Sequence, residues 1–344
     1  MRPVVLTANT PRSFYRGTGR IHRFRGLPAP ADEYHPEDWI ASTTARFGSA
    51  PLGLTTLPDG RDLAAAIADE PEAWLGAAHV QRYGADPALL VKLLDAGQRL
   101  PLHVHPDRRF ATAHLASPYG KTEAWVIVDA VPDASVHLGF RRDVAPDELA
   151  GWVRDGQVAA MLSATNRVPV RPGDAVLVPA GLPHAIGPGI FLVEAQEPTD
   201  FSVLLEREGF PVPESAAFLE LDRDLALSCV DRRAWSPSRL ADLTRERGSA
   251  RGIRPGVDRL FPAAADEFFA AERLRPDPVS VLDPGFCVVI VVTGAGSLTY
   301  AGETLGVAAG ATVVVPYGAG AGELRGDVTA IRCRPPTDGG AAGA

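Results

Sequence analysis

The sequence contains few cysteines and no long apolar runs. Its three cysteines (Cys229, Cys287 and Cys333) are far apart and odd in number, so they make neither a disulfide framework nor a metal-ligand spacing. We expect them to be reduced and structural. The longest purely apolar stretches, such as 287–292, have the length of a strand, and the first residues lack an apolar core of signal-peptide length. We therefore expect a cytoplasmic protein.

An excess of positive charge is also absent. The formal net charge is −8, which argues against nucleic acid or an anionic membrane as a partner, because both reward clustered cations. A small anionic substrate needs only a few local cations and stays compatible with this charge. With 344 residues, 46% of them hydrophobic, the chain is longer than one core usually grows, and two domains are expected.

Lysine is scarce, since only Lys92 and Lys121 are lysines among the 34 basic residues. Lys121 lies two residues before Glu123, and alternate residues of a strand share a face, so both side chains are expected in one cavity. A compact ammonium with a movable pKa can do chemistry that an always-charged guanidinium cannot. The alternative is a chance lysine on a solvated face.

Four side chains have the pattern of a metal site. His103 and His105 alternate along an apolar segment, Glu123 begins the next one, and His184 follows the apolar stretch 174–179. Three imidazoles and one carboxylate suit a divalent first-row metal. The alternative is a barrel that keeps the pattern without the metal.

The order of apolar and Gly- or Pro-rich segments predicts two β-rich units. The first spans 1–205, with helical insertions at about 61–80 and 145–162, and a helical connector spans 206–256. The second spans 257–335, followed by a disordered tail at 336–344. A weak internal repeat relates 173–179 to 310–316, but no histidine follows His184, so the second unit is expected to be metal-free and structural or interfacial.

Five segments of the first unit together resemble the class I mannose-6-phosphate isomerase family: 89–96, 103–107, 120–125, 171–174 and 178–184. The second unit matches only as a cupin. The resemblance implies an all-β dominated bicupin, in which two β-barrel or jelly-roll cupin domains carry short helical insertions.

The resemblance also implies site residues. The family's metal ligands map onto His103, His105, Glu123 and His184. His103 stands where the family usually has glutamine, and the implied metal is Zn²⁺, with manganese, iron or nickel as alternatives. The family's conserved glutamate maps onto Glu194, ten residues beyond His184. Its active-site arginine maps onto Leu204, which carries no charge.

The expected function is therefore a metal-dependent aldose–ketose isomerase of mannose 6-phosphate or a related sugar, working by enediol proton transfer. Lys121 and Glu194 are its expected catalytic residues. Because of Leu204, we expect a substrate other than mannose 6-phosphate, or poor turnover of that one. The arginines 141, 142 and 207 are candidates to supply the missing charge, which a neutral sugar would not need.

Two other classes of function are compatible with the sequence. A non-haem metal oxygenase of the cupin class usually has three protein ligands, so four ligands count against it. A non-catalytic sugar-binding or regulatory bicupin is compatible with the loss of the arginine at Leu204. Sugar interconversion, oxygen uptake or binding without turnover would separate the three. The sequence leaves the oligomeric state open.

Overall fold

A computed structural model of the chain describes residues 1–248 and 251–336. From residue 337 onward, the predicted disordered tail lies outside the described residues. In the described part of the chain, 32% of the residues lie in strands and 21% in helices. The predicted β-dominated architecture is confirmed. No helix in these ranges is both long and apolar enough to cross a membrane.

The strands in chain order are β1 Val4–Val5, β2 Glu37–Ile40, β3 Leu90–Ala96, β4 His103–Val104, β5 Glu123–Ala130, β6 Ser135–Phe140, β7 Thr165–Pro169, β8 Ala175–Val178, β9 His184–Ile186, β10 Ile190–Gln196, β11 Val203–Leu204, β12 Thr244–Arg245, β13 Arg251–Arg254, β14 Val257–Arg259, β15 Ala270–Leu274, β16 Val279–Leu282, β17 Cys287–Tyr300, β18 Glu303–Ala308, β19 Thr312–Val315 and β20 Gly322–Arg334. The α-helices are α1 Arg20–Phe24, α2 Leu63–Asp69, α3 Pro71–Leu75, α4 Ala77–Tyr83, α5 Arg108–His114, α6 Pro146–Arg154, α7 Val158–Ala164, α8 Glu214–Ala217, α9 Arg223–Leu227 and α10 Pro237–Leu243. Short 3₁₀ turns cover Ala263–Ala265 and Tyr317–Ala319.

Two antiparallel sheets build the first unit. One has the strand order β12-β8-β5-β10-β3-β2, and the other has the order β11-β4-β9-β6-β7. Strand β10 is buried along its whole length and pairs with β3 on one edge and with β5 on the other. A strand buried on both faces reads as a continuous apolar run, and β10 begins with Ile-Phe-Leu-Val before its polar residue Glu194.

Helices lie at both places where insertions are predicted. The first insertion holds α2 to α4, and Asp62 begins it by accepting a hydrogen bond from the backbone N–H of Ala65 at 3.0 Å. The second holds α6 and α7. Pro146 occupies the first turn of α6, followed by Asp147 and Glu148, so a preset φ and two favourable acidic charges begin this helix.

The second unit is one nine-stranded sheet built around the long strands β17 and β20. It also contains β1, whose Val4 and Val5 pair with Val314 and Val313 of β19, although β1 lies in the sequence predicted for the first domain. Conversely, β12 of the predicted connector pairs with β8 of the first unit. Alternation along a sequence indicates a strand but not the sheet edge that it joins. The domain boundaries remain predictions.

The two units share an apolar core. One buried cluster includes Trp125 and Ile127 of the first unit together with Phe269, Ile290 and Ile331 of the second. These side chains are almost fully excluded from solvent, so separating the units would expose a large apolar area. The second unit therefore stabilises the sheet that carries Glu123 and Trp125.

A buried network of charges lies in the second unit, where no histidine is available. Arg332 is fully buried and contacts Glu272 and Asp283, the latter at 2.7 Å. Arg334 and Arg254 each approach Asp283 at 2.8 Å. Burial alone would raise the pKa of Asp283, but the charges of Arg334 and Arg332 lower that pKa by more, to well below its usual range. The network is held by ion pairs internal to the protein.

We expect Arg332→Met to lower the free energy of unfolding by about 3 to 5 kcal/mol at pH 7, because Glu272 would lose its buried partner. The matched control is Arg325→Met on the same strand. Arg325 pairs with Glu323 on the surface, a contact worth at most about 1 kcal/mol. Denaturant unfolding measures both. The low pKa of Asp283 stabilises the fold above its unfolded value of about 3.9, so the penalty should shrink below about pH 4. Equal losses in the two variants would contradict a structural role.

Candidate active site and metal centre

The three histidines predicted as ligands meet in the first unit. His103 of β4 and His184 of β9 are direct register partners, and His105 lies one residue beyond β4. The ring centroids are 4.1 Å apart for His103 and His184, and 4.9 and 4.8 Å apart for His105 with each of these. All three rings are buried, and one ligand atom from each lies within 4.8 Å of the others. This cluster has the geometry to hold a metal ion.

Each of the three imidazoles is oriented by a contact of its Nδ1 nitrogen with the backbone. Each Nδ1 lies 2.7–2.8 Å from a backbone carbonyl oxygen. The acceptors are the carbonyls of Pro101, Phe201 and Leu182 for His103, His105 and His184, respectively. A carbonyl only accepts, so Nδ1 carries the hydrogen and the Nε2 lone pair is available to a metal. Burial, with neighbouring positive or titratable groups, lowers the pKa of His105 to about 3 and holds that of His103 well below its usual range, which favours the neutral ligand form.

Glu123, the fourth predicted ligand, lies beside two of the histidines. Its Oε2 lies 3.0 Å from Nε2 of His105, and its Oε1 lies 3.3 Å from Nε2 of His184. Nε2 of His184 is buried without a hydrogen-bond partner, so an imidazole lone pair faces a carboxylate oxygen. A cation between two such acceptors would remove their repulsion. The buried Nε2 atom without a partner therefore indicates that these side chains fit a divalent metal.

Lys121 also lies at the ligands, just before β5 rather than within it. Its Nζ donates to Oε2 of Glu123 and lies 2.8 Å from Nε2 of His105. Burial would raise the pKa of Glu123, but the ammonium of Lys121 lowers it by more, to well below its usual range. Gly120 makes this placement possible, because a Cβ there would lie 2.6 Å from the carbonyl oxygen of Pro106.

Glu194 lies in the same cavity on the neighbouring strand. In the register between β10 and β5 it is opposite Trp125, whose indole N–H lies 3.2 Å from Oε2 of Glu194 and 3.1 Å from Oε1 of Glu123. Trp125 therefore fixes both carboxyl groups. Burial, reinforced by the charge of Glu123, raises the pKa of Glu194 to about 7. A carboxyl with this pKa can both accept and release a proton near neutral pH.

The sequence did not identify Lys92 as a site residue, although it lies beside Glu194. Nζ of Lys92 lies 3.6 Å from Glu37, 3.7 Å from Asp200 and 3.9 Å from Glu194, and it lies 4.3 Å from the centroid of the Trp39 ring. Burial would lower the pKa of Lys92, but these carboxylates raise it to about 12. The scarcity of lysine was a signal for Lys92 as much as for Lys121. Nothing in the sequence singled out Glu37.

One cavity of about 420 Å³ is lined by several of these groups, namely Glu37, Lys92, His103, Lys121, Glu123, Glu194 and Asp200. Leu204 also lines it, and its register partner in β4 is His103, so both side chains are on the same face of the sheet. Leu204 is buried and adds apolar surface, as Leu94, Leu100 and Ile186 do. An arginine at position 204 would thus be directed into the cavity.

The arginines suggested as replacements lie elsewhere. Arg141 and Arg142 line a separate surface hollow beside Trp152, and Arg207 lies 3.5 Å from Glu214 on the surface. The cavity is lined instead by Arg12 and Arg46 of the N-terminal segment. These lie in loops without periodic pattern, which gave no sequence signal.

The known proteins to which this chain is similar include mannose-6-phosphate isomerases. No family model matches the chain. A 112-residue segment, 33% of the chain, is 40% identical to the mannose-6-phosphate isomerase ManA of Bacillus subtilis (strain 168), covering 34% of that protein. A longer segment of 202 residues is 35% identical to the mannose-6-phosphate isomerase of Streptococcus mutans, covering 58% of each protein. Over these segments the chain is similar to two mannose-6-phosphate isomerases. The resemblance seen in the sequence is confirmed.

The fold extends over almost the whole chain. The crystal structure of the mannose 6-phosphate isomerase from Bacillus subtilis matches with a TM-score of 0.75 at 23% identity, covering 97% of this chain and 100% of that one. The bicupin fold expected from the resemblance is confirmed. The sequence matches span about a third and somewhat over half of the two isomerases' lengths, so activity and substrate are matters of proposal.

The ligand set leads to a prediction about metal content. We expect protein purified without chelator to hold about one divalent ion per chain, and His105→Ala to weaken metal binding by at least about 100-fold, since a ligand is removed outright. Elemental analysis and competition with a chelating dye measure this. The matched control, His114→Ala, removes an exposed imidazole and should leave metal content and metal affinity unchanged. Unaltered metal content in His105→Ala would contradict the proposed ligand.

Proposed function

We propose that the protein is a metal-dependent aldose–ketose isomerase that interconverts mannose 6-phosphate and fructose 6-phosphate or a closely related sugar pair. The observation that carries the proposal is that His103, Glu123, Lys121 and Glu194 line one cavity, while His105 and His184 form one buried cluster with His103. Its relatives named mannose-6-phosphate isomerase support the same reaction class.

The ligands of this proposal are His103, His105, Glu123 and His184. Zn²⁺ is the preferred ion because imidazole and carboxylate suit it and because the resemblance implies it, with manganese, iron or nickel as alternatives. A bound divalent ion would polarise the substrate carbonyl and stabilise the negative charge that develops on its oxygen.

The protein's own groups move the proton. Isomerisation transfers a proton between C1 and C2 through an enediolate, and Glu194 is the proposed base that accepts the proton from one carbon and returns it to the other. Trp125 holds its carboxyl in place at 3.2 Å. The ammonium of Lys121 is a hydrogen-bond donor for a substrate oxygen, and Lys92 holds Glu194 from the other side at 3.9 Å.

The test is an assay of the metal-loaded protein with mannose, fructose and their 6-phosphates, with oxygen uptake recorded in parallel. Interconversion of any aldose and ketose pair supports the isomerase. Oxygen uptake without interconversion would identify the cupin oxygenase instead, and sugar binding without turnover would identify the regulatory bicupin.

We expect Lys121→Arg to lower kcat by at least about 100-fold while metal content is retained. The guanidinium keeps the charge but is larger and planar, so it cannot reproduce the contacts of the ammonium with Glu123 and His105. Steady-state kinetics and elemental analysis measure the two effects. Arg207→Lys, outside the cavity, is the reverse exchange and should leave kcat unchanged. A fully active Lys121→Arg protein would count against the catalytic role.

Glu194→Gln keeps the size of the side chain but removes its ability to accept a proton. We expect kcat to fall by about 10²- to 10⁴-fold, with little change in KM, because the group acts in proton transfer. A rise in KM at unchanged kcat would instead make Glu194 a substrate-binding residue.

A further inference from the structure

The cavity contains no cation at the position where the family resemblance places an arginine. Leu204 occupies it, on the same face as His103. Any anionic group of a substrate must therefore find its counter-charge elsewhere on the wall. The cations that line the cavity within the described ranges are Arg12, Arg46, Lys92 and Lys121.

Both lysines are already neutralised. Nζ of Lys121 contacts Glu123 and His105, and Nζ of Lys92 lies within 3.6–3.9 Å of three carboxylates. An anion bound beside Lys92 would be repelled by the same three carboxylates. Neither ammonium offers a free charge to a second anion.

Arg46 is placed differently. One of its Nη atoms donates to the backbone carbonyl of Arg12 and the other to Oγ of Ser13 at 3.3 Å. Among the described residues Arg46 has one carboxylate within ion-pair distance, Asp200 at 3.8 Å from Nε, whereas Lys92 has three. A guanidinium has five N–H groups, and the contacts to described residues use two of them. Three remain for a ligand.

The setting of Arg46 also strengthens a contact with an anion. Its side chain is 18% exposed, so it is accessible from the cavity but largely desolvated. Its backbone is held in a turn by hydrogen bonds to Leu52 and from Ser49 at 2.7 and 3.0 Å. Ser13 accepts from Arg46 through Oγ and also lines the cavity, so its hydroxyl can donate to a ligand there. Arg12, in contrast, is 57% exposed and already pairs closely with Asp32.

We propose that Arg46, assisted by Ser13, binds the phosphoryl group of a sugar phosphate and supplies the charge that is missing at Leu204. The inference rests on the proposed function, because it names the substrate class of the same cavity. A planar fork with free N–H groups matches two phosphate oxygens at once, which an ammonium cannot do. This contact would favour a phosphorylated sugar over a neutral one, whereas Leu204 by itself suggests a neutral sugar.

The test compares metal-loaded wild type, Arg46→Gln and the control Arg207→Gln, whose arginine lies outside the cavity. We expect Arg46→Gln to lower kcat/KM for mannose 6-phosphate by about 10- to 100-fold, mainly through KM, and to change kcat/KM for mannose by less than about 3-fold. Arg46→Lys keeps the charge without the planar guanidinium, so it should lose less of the kcat/KM for mannose 6-phosphate. It replaces Arg46→Gln in the test if that variant does not fold.

A second measurement is independent of turnover. A hexitol 6-phosphate has no carbonyl and cannot isomerise, and its calorimetric affinity relative to the unphosphorylated hexitol and to inorganic phosphate reports phosphoryl recognition alone. Arg46-dependent tight binding of the hexitol 6-phosphate by a protein that turns over no sugar would support Arg46 while refuting the isomerase. Equal losses on phosphorylated and neutral sugars, or equal affinity of wild type for the two hexitols, would overturn the inference.

Discussion

Burial of ionised groups inside an apolar barrel is the constraint on which the candidate site depends. Removing a charge from water costs several kcal/mol unless a partner compensates. Lys121 therefore pairs with Glu123, and Lys92 pairs with Glu37 and Asp200. Lys92 approaches Glu194 only to 3.9 Å, and burial together with the charge of Glu123 raises the pKa of Glu194 to about 7 despite the two lysines. The distribution of counter-charge thus assigns different chemistry to chemically similar carboxyls.

Strand register carries these charges to one place. His103, His184 and Leu204 are consecutive partners across β9, β4 and β11, so one row of side chains crosses the sheet. A shift of one residue would turn each of them to the other face. Pairing of β10 with β5 brings Glu194 against Trp125 in the same way. Antiparallel ladders, and not loops, position most of the candidate ligands.

The parts of the site that could be predicted are those encoded by local periodicity. His103 and His105 share a face by alternation, and the single lysine before Glu123 was recognisable by its rarity. The pairing of β1 with β19 could not be predicted, because a two-residue strand carries no information about its partner. Arg46 lies in a loop and reaches the cavity through contacts with Arg12 and Ser13, far away in sequence. Such long-range placement depends on the folded chain.

The two units contain related strands but differ in whether their buried polar groups satisfy one another. The structure makes strands of both copies of the internal repeat, β8 and β19, each between its glycine and its proline. In the second unit Arg332, Glu272 and Asp283 satisfy one another, and none of their described buried atoms lacks a hydrogen-bond partner. In the first unit the lone pair of His184 Nε2 faces Glu123 without a proton between them. A unit whose buried charges are paired with one another gains little from an added ion, whereas two acceptors that face each other are stabilised by a cation between them. The first unit is therefore the better place for a metal.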